Sequence, residues 1–484
     1  MIESFFVFLL FLFGASLSFI LLYSIAQIQL VRRYLKAAKP VPLQPKIPQK
    51  KVLIQLPIFN EPYVIDRLLK SISLLKHPKT LLEIQVLDDS NDGSEKINEE
   101  MVLAMAAEGT PIRYVHRLER TGYKAGALKE GLTQSEAEFV GIFDADFVPD
   151  PSFLETTLPF FNDPKIGMVQ SCWDHLNDSD SLITRLQAFG LDAHFSVEQV
   201  GRNQGGNFIN FNGTAGIWRR ACIEDAGNWS ADTLTEDLDL SYRAQLKGWK
   251  FIYLEDLKSP AELPPIMSAL RSQQYRWTKG GAETARKHLL HVLRSEKNWN
   301  DKFQAIFHLL NSSVFLCICL SALISVPILL LKDQFPAYRN YFIYSSVFLV
   351  SFISISALYA VSSIQKKASK WEGWKYYLRY FPQFLAFSMG LSFHNAIAVS
   401  EAYLGRKSAF VRTPKFKDTQ NLQGRMYLGK GITFYFWMEL LLFFYFTGAC
   451  IYAIFFTDFS LFLFHIFLAT GYGMVVYHSF INPK

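Results

Sequence analysis

Four short motifs, in fixed order, gather the residues of this chain best suited to chemistry. They are Asp144-Ala-Asp146 after the apolar run Phe139-Val-Gly-Ile-Phe143, the turn Phe211-Asn-Gly-Thr214, then Thr235-Glu236-Asp237, and Gln273-Gln-Tyr-Arg276-Trp277. Two carboxylates at a strand end can hold Mg²⁺ or Mn²⁺, which neutralises a diphosphate and eases its departure. The triplet Asp-x-Asp alone decides nothing, because it occurs three times, at Asp144/Asp146, Asp178/Asp180 and Asp237/Asp239. Only Asp144 and Asp146 follow directly on a buried-looking strand, and open α/β sheets bind ligands at the carboxyl ends of their strands. Asp178/Asp180 lies in a polar Asn-Asp-Ser-Asp cluster and reads as a solvated turn.

The other motifs supply complementary groups. Asp237 can act as general base on a sugar hydroxyl, with Thr235 and Glu236 beside it on the acceptor side; Thr235 before Glu-Asp-Leu also reads as a helix N-cap. Gln273 and Arg276 stand three apart, neighbours on one helix face. Arg276 can clamp a diphosphate and Trp277 offers a flat surface to a sugar ring. An amphipathic interfacial helix is the plain alternative for that pentapeptide. Val86-Leu-Asp88-Asp89 and Pro57-Ile-Phe-Asn60-Glu61 each end an apolar run in a polar tip, where acceptor groups can meet a base or ribose. Arg117 to Gly126 joins cations, Lys124 among them, to small residues that let a diphosphate approach the backbone. The Gly-Lys-Ser/Thr order of a Walker loop is absent from it.

Strands and helices must position these groups. The β-rich runs Val52–Leu56, Ile84–Leu87, Ile112–Val115 and Phe139–Phe143 alternate with helix-length polar segments, which argues an α/β fold around a mostly parallel sheet. The chain has 484 residues, half of them hydrophobic and only 19% charged, a balance that points to a membrane protein. Phe5 to Ile25 is an uncharged run long enough to span a bilayer and is expected to be a retained anchor. The organisation expected is an anchor at 1–30, a cytosolic catalytic domain at 45–300, and membrane or interfacial helices at 303–484 with a cytosolic loop near 402–430. Five scattered cysteines give neither a disulfide framework nor a zinc site. The basic residues flank apolar spans instead of forming a stripe for nucleic acid, which is excluded as a partner; the bilayer is the expected one.

Arg32, Arg33, Lys36 and Lys39 place the cytoplasm after the first helix. Later apolar spans fall at 307–331, 341–363, 381–399, 432–454 and 460–478. The span 381–399 lies between Lys366, Lys367, Lys370 and Lys375 on one side and Arg406, Lys407, Arg412, Lys415, Lys417, Arg425 and Lys430 on the other. Both flanks therefore belong in the cytoplasm, and with Pro382, Gln383, His394 and Asn395 inside it the span is expected to lie along the interface. Five crossings result; six is the alternative. Glu439, inside a late span, is a functional candidate by its position, or faces the headgroups. His288 and His291 are expected at the surface or interface.

The ordered set resembles the processive family-2 glycosyltransferases of the cellulose synthase superfamily, nearest the mannan-synthase-like branch through Val169-Gln-Ser-Cys-Trp173, Phe211 to Gly216 and Gln273-x-x-Arg276-Trp277. The resemblance runs over about 50–480. It implies a Rossmann-like nucleotide-sugar transferase fold joined to membrane helices, inverting transfer, and extrusion of a β-linked polysaccharide. By position it implies donor contacts for Asp88, Asp89, Lys124 and Asp144, with Asn60 and Glu61 on the same side, metal binding for Asp146 with Asp144, and the base at Asp237. It further implies diphosphate contacts for Gln273 and Arg276 and the acceptor sugar on Trp277. Phe410-Val-Arg412-Thr413-Pro-Lys415 is similar to the loop that closes over the donor in cellulose synthases, with Arg412 where Val is usual. The donor expected is GDP-mannose or UDP-glucose and the acceptor a polysaccharide, with a lipid acceptor, as in ceramide glucosyltransferases, as the alternative. The expected location is the bacterial inner membrane, with the Golgi membrane second.

Overall fold

The computed structural model describes residues 1–46, 50–413, 415 and 433–481. Its core is a seven-stranded sheet of order β3-β2-β1-β4-β6-β5-β7. The strands are β1 (Val52–Ile58), β2 (Leu82–Asp88), β3 (Ile112–His116), β4 (Phe139–Ile142), β5 (Ile166–His175), β6 (Gly216–Arg219) and β7 (Lys250–Ala261). All pair in parallel except β6, which runs antiparallel to both neighbours. Alternation puts Val52, Ile54 and Leu56 into one apolar layer and Leu53, Val140 and Ile142 into the other. Both faces are covered, which is why the strands read as continuous apolar runs.

From β1 the chain winds outward to β3 and then returns to lay β4 on the opposite side of β1. That reversal opens a crevice at the carboxyl ends of β1 and β4. Asn60 and Glu61 follow β1, and Asp144 and Asp146 follow β4.

Ten helices carry the rest of the argument: α1 (Ile2–Tyr34), α2 (Tyr123–Thr133), α3 (Glu236–Leu246), α4 (Met267–Arg294), α5 (Ser313–Leu331), α6 (Leu349–Lys366), α7 (Lys370–Gly390), α8 (Ser392–Tyr403), α9 (Phe434–Phe455) and α10 (Phe462–Ile481). Among the described residues five helical stretches are long and apolar enough to cross a membrane: 2–34, 313–334, 336–366, 434–455 and 462–481. The segment 381–399 is divided between α7 and α8, which meet at Leu391, and neither helix is among those five. Residues 416–432 of the loop expected near 402–430, with Lys417, Arg425 and Lys430, lie outside the described residues.

α4 connects the two halves of the chain. It packs against α8 and against the start of α3, where Gly280 makes close approach possible. A Cβ on Gly280 would lie 2.5 Å from Thr235 Cγ2 and 3.0 Å from the Thr235 backbone nitrogen. Gly280→Leu is therefore expected to overpack this contact, at a cost of ~1–3 kcal/mol, seen as a lower midpoint in thermal unfolding of the purified protein.

Candidate active site

The carboxyl edge of the sheet opens into a cleft of about 1210 Å³, lined by Glu61, Asp89, Lys124, Asp144, Asp146, Thr235, Glu236, Asp237, Gln273, Arg276 and Trp277, and closed on one side by Phe410, Arg412, Thr413 and Lys415.

Its floor is set by the end of β4. The Asp144 backbone N–H donates to Thr214 Oγ1 at 2.8 Å, which ties the strand end to the Phe211–Thr214 turn. Lys124 on α2 donates to Asp144 Oδ1 and, at 2.9 Å, to the Gly213 carbonyl. Burial pulls the Lys124 ammonium down, but Asp144, Glu236 and Asp237 outweigh it and the pKa is raised. Lys124 is thus a fixed cation. Gly213 has φ +81°, and a Cβ there would sit 3.0 Å from Asp237 Oδ2. The turn needs glycine twice over: for its left-handed backbone and for the carboxylate beside it.

Asp237 stands in the first turn of α3, its Oδ1 accepting from the Leu238 N–H at 2.8 Å. Burial, and then the adjacent Glu236 charge, push its pKa up to about 7. Such a group gives up and takes a proton near neutrality, as a general base requires. Thr235 occupies the N-cap position of α3, yet its side chain makes no cap hydrogen bond; its hydroxyl meets Thr284 of α4 at 3.1 Å.

Asp146 is 2% exposed, and its Oδ2 accepts from the Glu262 N–H at 3.2 Å and from Lys415 at 2.6 Å. Glu61 pairs with Arg412 at 3.1 Å; burial pushes the Glu61 carboxyl up to about 7 although Arg412 opposes it. The residue at which Phe-Val-Arg-Thr-Pro-Lys departs from its resemblance thus bears on the cleft itself. Asp144 and Asp146 offer only hard oxygen donors, and ammonium groups already sit against both, so the pair is suited to a hard divalent ion. Among the described residues no group of three His, Cys, Asp or Glu side chains converges as a metal cage. Mg²⁺-type sites are commonly built this way, from one or two carboxylates completed by substrate phosphates and water.

Other expected residues stand at varied distances from the centre. Asp89 takes two hydrogen bonds from Arg117 at the cleft wall, while Arg120 lies 3.4 Å over the Phe59 ring. Asp88 does not line the cleft. It is fully buried, bonded to the Ser90 N–H, Asn98 and Tyr114, and braces the turn after β2. Asn60 likewise binds that turn, through Ser90 and Asn91. Gln273, Arg276 and Trp277 all reach the cleft from α4, with Arg276 4.9 Å from the Phe410 ring centre. Asp178 and Asp180 lie in a turn outside the cleft lining. His288 is not at the surface: the buried face of α4 places it 2.7 Å from Asp239, whose carboxyl is held well below its ordinary range because His288, Lys287 and Arg243 overcome the effect of burial. His291 is exposed.

Trp173, at the end of β5, is a cleft residue to which its sequence neighbours assign no role. Its ring centre lies 6.5 Å from that of Trp277, so two indoles line the same part of the cleft. An aromatic residue at a strand's carboxyl end was the available signal.

Residues 48–280 match the family model described as glycosyltransferase like family 2. This segment is a family-2 glycosyltransferase domain. The chain is 40% identical over 292 residues to glucomannan 4-beta-mannosyltransferase 7 of Arabidopsis thaliana, covering 57% of this chain and 52% of the relative. It is 47% identical over 251 residues to glucomannan 4-beta-mannosyltransferase 2 of the same plant, covering 51% and 47%. It spans about half the length of the curated relatives it matches. Among solved structures, the mannosyltransferase PcManGT from Pyrobaculum calidifontis, in complex with GDP-Man and Mn²⁺, superposes with a TM-score of 0.52 at 19% identity, over 74% of this chain and all of that one. The glycosyltransferase domain shares that fold. The bacterial inner membrane expected from sequence finds no support in these plant relatives.

The position of Asp237 fixes a pH dependence. Its folded pKa lies above its ordinary value of 3.8, so its contribution to folding is complete below pH 3.8 and lost as pH rises through about 7. With Asp237 as the general base, activity would run the other way, because a base must be ionised. For the glycosyltransferase domain in its intact chain, kcat/KM is expected to rise with pH up to about 7 and level off above it, in a pH–rate profile of donor turnover.

Proposed function

We propose that this chain is a membrane-embedded inverting hexosyltransferase that moves a sugar from a nucleotide-sugar donor onto a growing β-linked polysaccharide. The observation that carries this reading is the placement of Asp237 beside Gly213, next to the Lys124–Asp144 pair, in the cleft that Gln273, Arg276 and Trp277 enter from α4. Asp237 takes the proton of the acceptor hydroxyl, and the acceptor oxygen attacks C1 of the donor sugar in line. The bond from C1 to the diphosphate oxygen breaks as the new glycosidic bond forms. Gln273, Arg276 and Lys124 hold the diphosphate and stabilise the charge it gains. Trp277, with Trp173 nearby, presents an aromatic face to the acceptor sugar. Asp89 and Glu61 line the nucleoside side, with Asp88 and Asn60 bracing their turns. Asp144 and Asp146 would hold Mg²⁺ or Mn²⁺, which when bound neutralises the diphosphate.

GDP-mannose is the favoured donor, since the relatives at 40% and 47% identity are mannosyltransferases by name and PcManGT holds GDP-Man. UDP-glucose remains the second donor. Residues 45–300 form the catalytic domain on the cytoplasmic side of the bilayer, as the basic residues after α1 direct. The anchor at 1–30 and the helices of 303–484 carry it and give the polymer its path, and Phe410, Thr413 and Lys415 act as the loop over the donor.

The test is Asp237→Asn in the full chain reconstituted in lipid nanodiscs. Removing a general base is expected to lower kcat by roughly 10²–10⁴-fold while GDP binding is kept. Turnover equal to wild type would reject Asp237 as the base. The same assay reads product length, and a product held at one added sugar would replace the polysaccharide with a lipid acceptor.

A further inference from the structure

α4 presents two different stripes. Gln273, Arg276 and Trp277 line the cleft, and Gly280 and Thr284 continue toward Thr235 at the start of α3. Arg271, Tyr275 and Lys279, four residues apart, form another stripe. The Arg271 guanidinium donates to Glu439 of α9 and, at 2.9 Å, to Ser479 of α10. Tyr275 donates to Glu401 of α8, and Lys279 pairs with the same carboxylate at 2.9 Å. His394 of α8 meets the Arg271 carbonyl at 3.1 Å.

The Arg271–Glu439 pair is enclosed on both sides, with side-chain exposures of 12% and 0%, whereas Lys279 is buried but its partner Glu401 is 26% exposed. An ionisable residue in a membrane helix is costly and is retained where it has a partner and a task. Glu439 provides no surface solubility, because it is completely enclosed. It reaches instead the helix that carries the diphosphate and acceptor residues, two positions before Gln273 and five before Arg276. At 1.5 Å of rise per residue the pair lies about 7.5 Å along the axis from Arg276, within one and a half turns. A buried ion pair is a poor source of stability but a directional one, able to specify a single rotation of the helix.

We propose that Arg271 and Glu439 are positioning residues: their ion pair fixes the rotation and height of α4 against α9 and α10, and so places Gln273, Arg276 and Trp277 in the cleft. The inference rests on the transferase reading above. It makes a membrane helix part of the geometry of the reaction, although neither residue touches substrate.

The experiment uses the full chain in nanodiscs with Mn²⁺ and either GDP-mannose or UDP-glucose. Glu439→Gln and Arg271→Met are compared with wild type, with Arg271→Lys, and with the exchange Arg271→Glu/Glu439→Arg. Binding of GMP and UMP, which lack the donor's second phosphate and its transferred sugar, serves as the check on folding. Misplacement by about an ångström costs on the order of 10²-fold in rate, so kcat is expected to fall by about that factor in Glu439→Gln, with nucleotide binding unchanged. The exchange variant and Arg271→Lys should each recover part of the loss. Wild-type kcat in both single variants would overturn the proposal and leave the transferase reading intact. Loss of kcat together with nucleotide binding, without recovery in the exchange, would overturn it too, by showing a purely structural pair. Wild-type protein without turnover on either donor would remove the transferase reading first, and this inference with it.

Discussion

Eight carboxylates, among them those of Glu61, Asp89, Asp144, Asp146, Glu236 and Asp237, line one cleft, and their mutual repulsion is the constraint that the cations around it answer. Two like charges 4 Å apart cost about 4 kcal/mol at an effective dielectric of 20, so such a cluster persists only with compensation. Lys124 supplies it from α2, and Arg412 and Lys415 supply it from the segment after α8. What compensation and burial leave unbalanced is expressed as protonation, at Glu61 and Asp237, both pushed up to about 7. A site in this condition favours a ligand that brings a cation with it. A nucleotide sugar accompanied by a divalent ion has that character.

The sheet makes the crowding possible and α4 makes it useful. Chain reversal between β3 and β4 brings two acidic turns, those after β1 and β4, to a common crevice. The Phe211–Thr214 turn, whose Gly213 leaves room for Asp237, leads into antiparallel β6. α4 then closes the far wall with Gln273, Arg276 and Trp277 while its other stripe is bonded to α8, α9 and α10. The apolar helices are thus connected to the cleft through one helix, by way of Arg271, Tyr275 and Lys279.

Much of this was legible in the sequence because it depends on local pattern. Strands β1 to β4 are visible as apolar runs, and the strand before Asp144/Asp146 already put these two at the carboxyl edge of the sheet, where the cleft lies. The charges flanking 381–399 isolated that stretch from the spans long and apolar enough to cross. What was not legible depends on contacts between distant residues. The Glu439 partner lies 168 residues away, on a helix of the catalytic domain. His288 is buried because Asp239, 49 residues earlier, packs against it. Asp88 and Asp89 are adjacent in sequence, but one points into the packing behind β2 and the other to the cleft wall. Thr235 has the sequence of a capping residue, yet the closeness of α4 turns its hydroxyl to Thr284.

The central claim is a single in-line displacement with Asp237 on the face opposite the departing diphosphate. Nuclear magnetic resonance of the product made from an α-linked, isotope-labelled GDP-mannose or UDP-glucose donor tests it most directly. The account predicts β-linked sugar throughout the product. An α-linked product would contradict it, because retention of configuration requires a second displacement for which Asp237 as a base has no role.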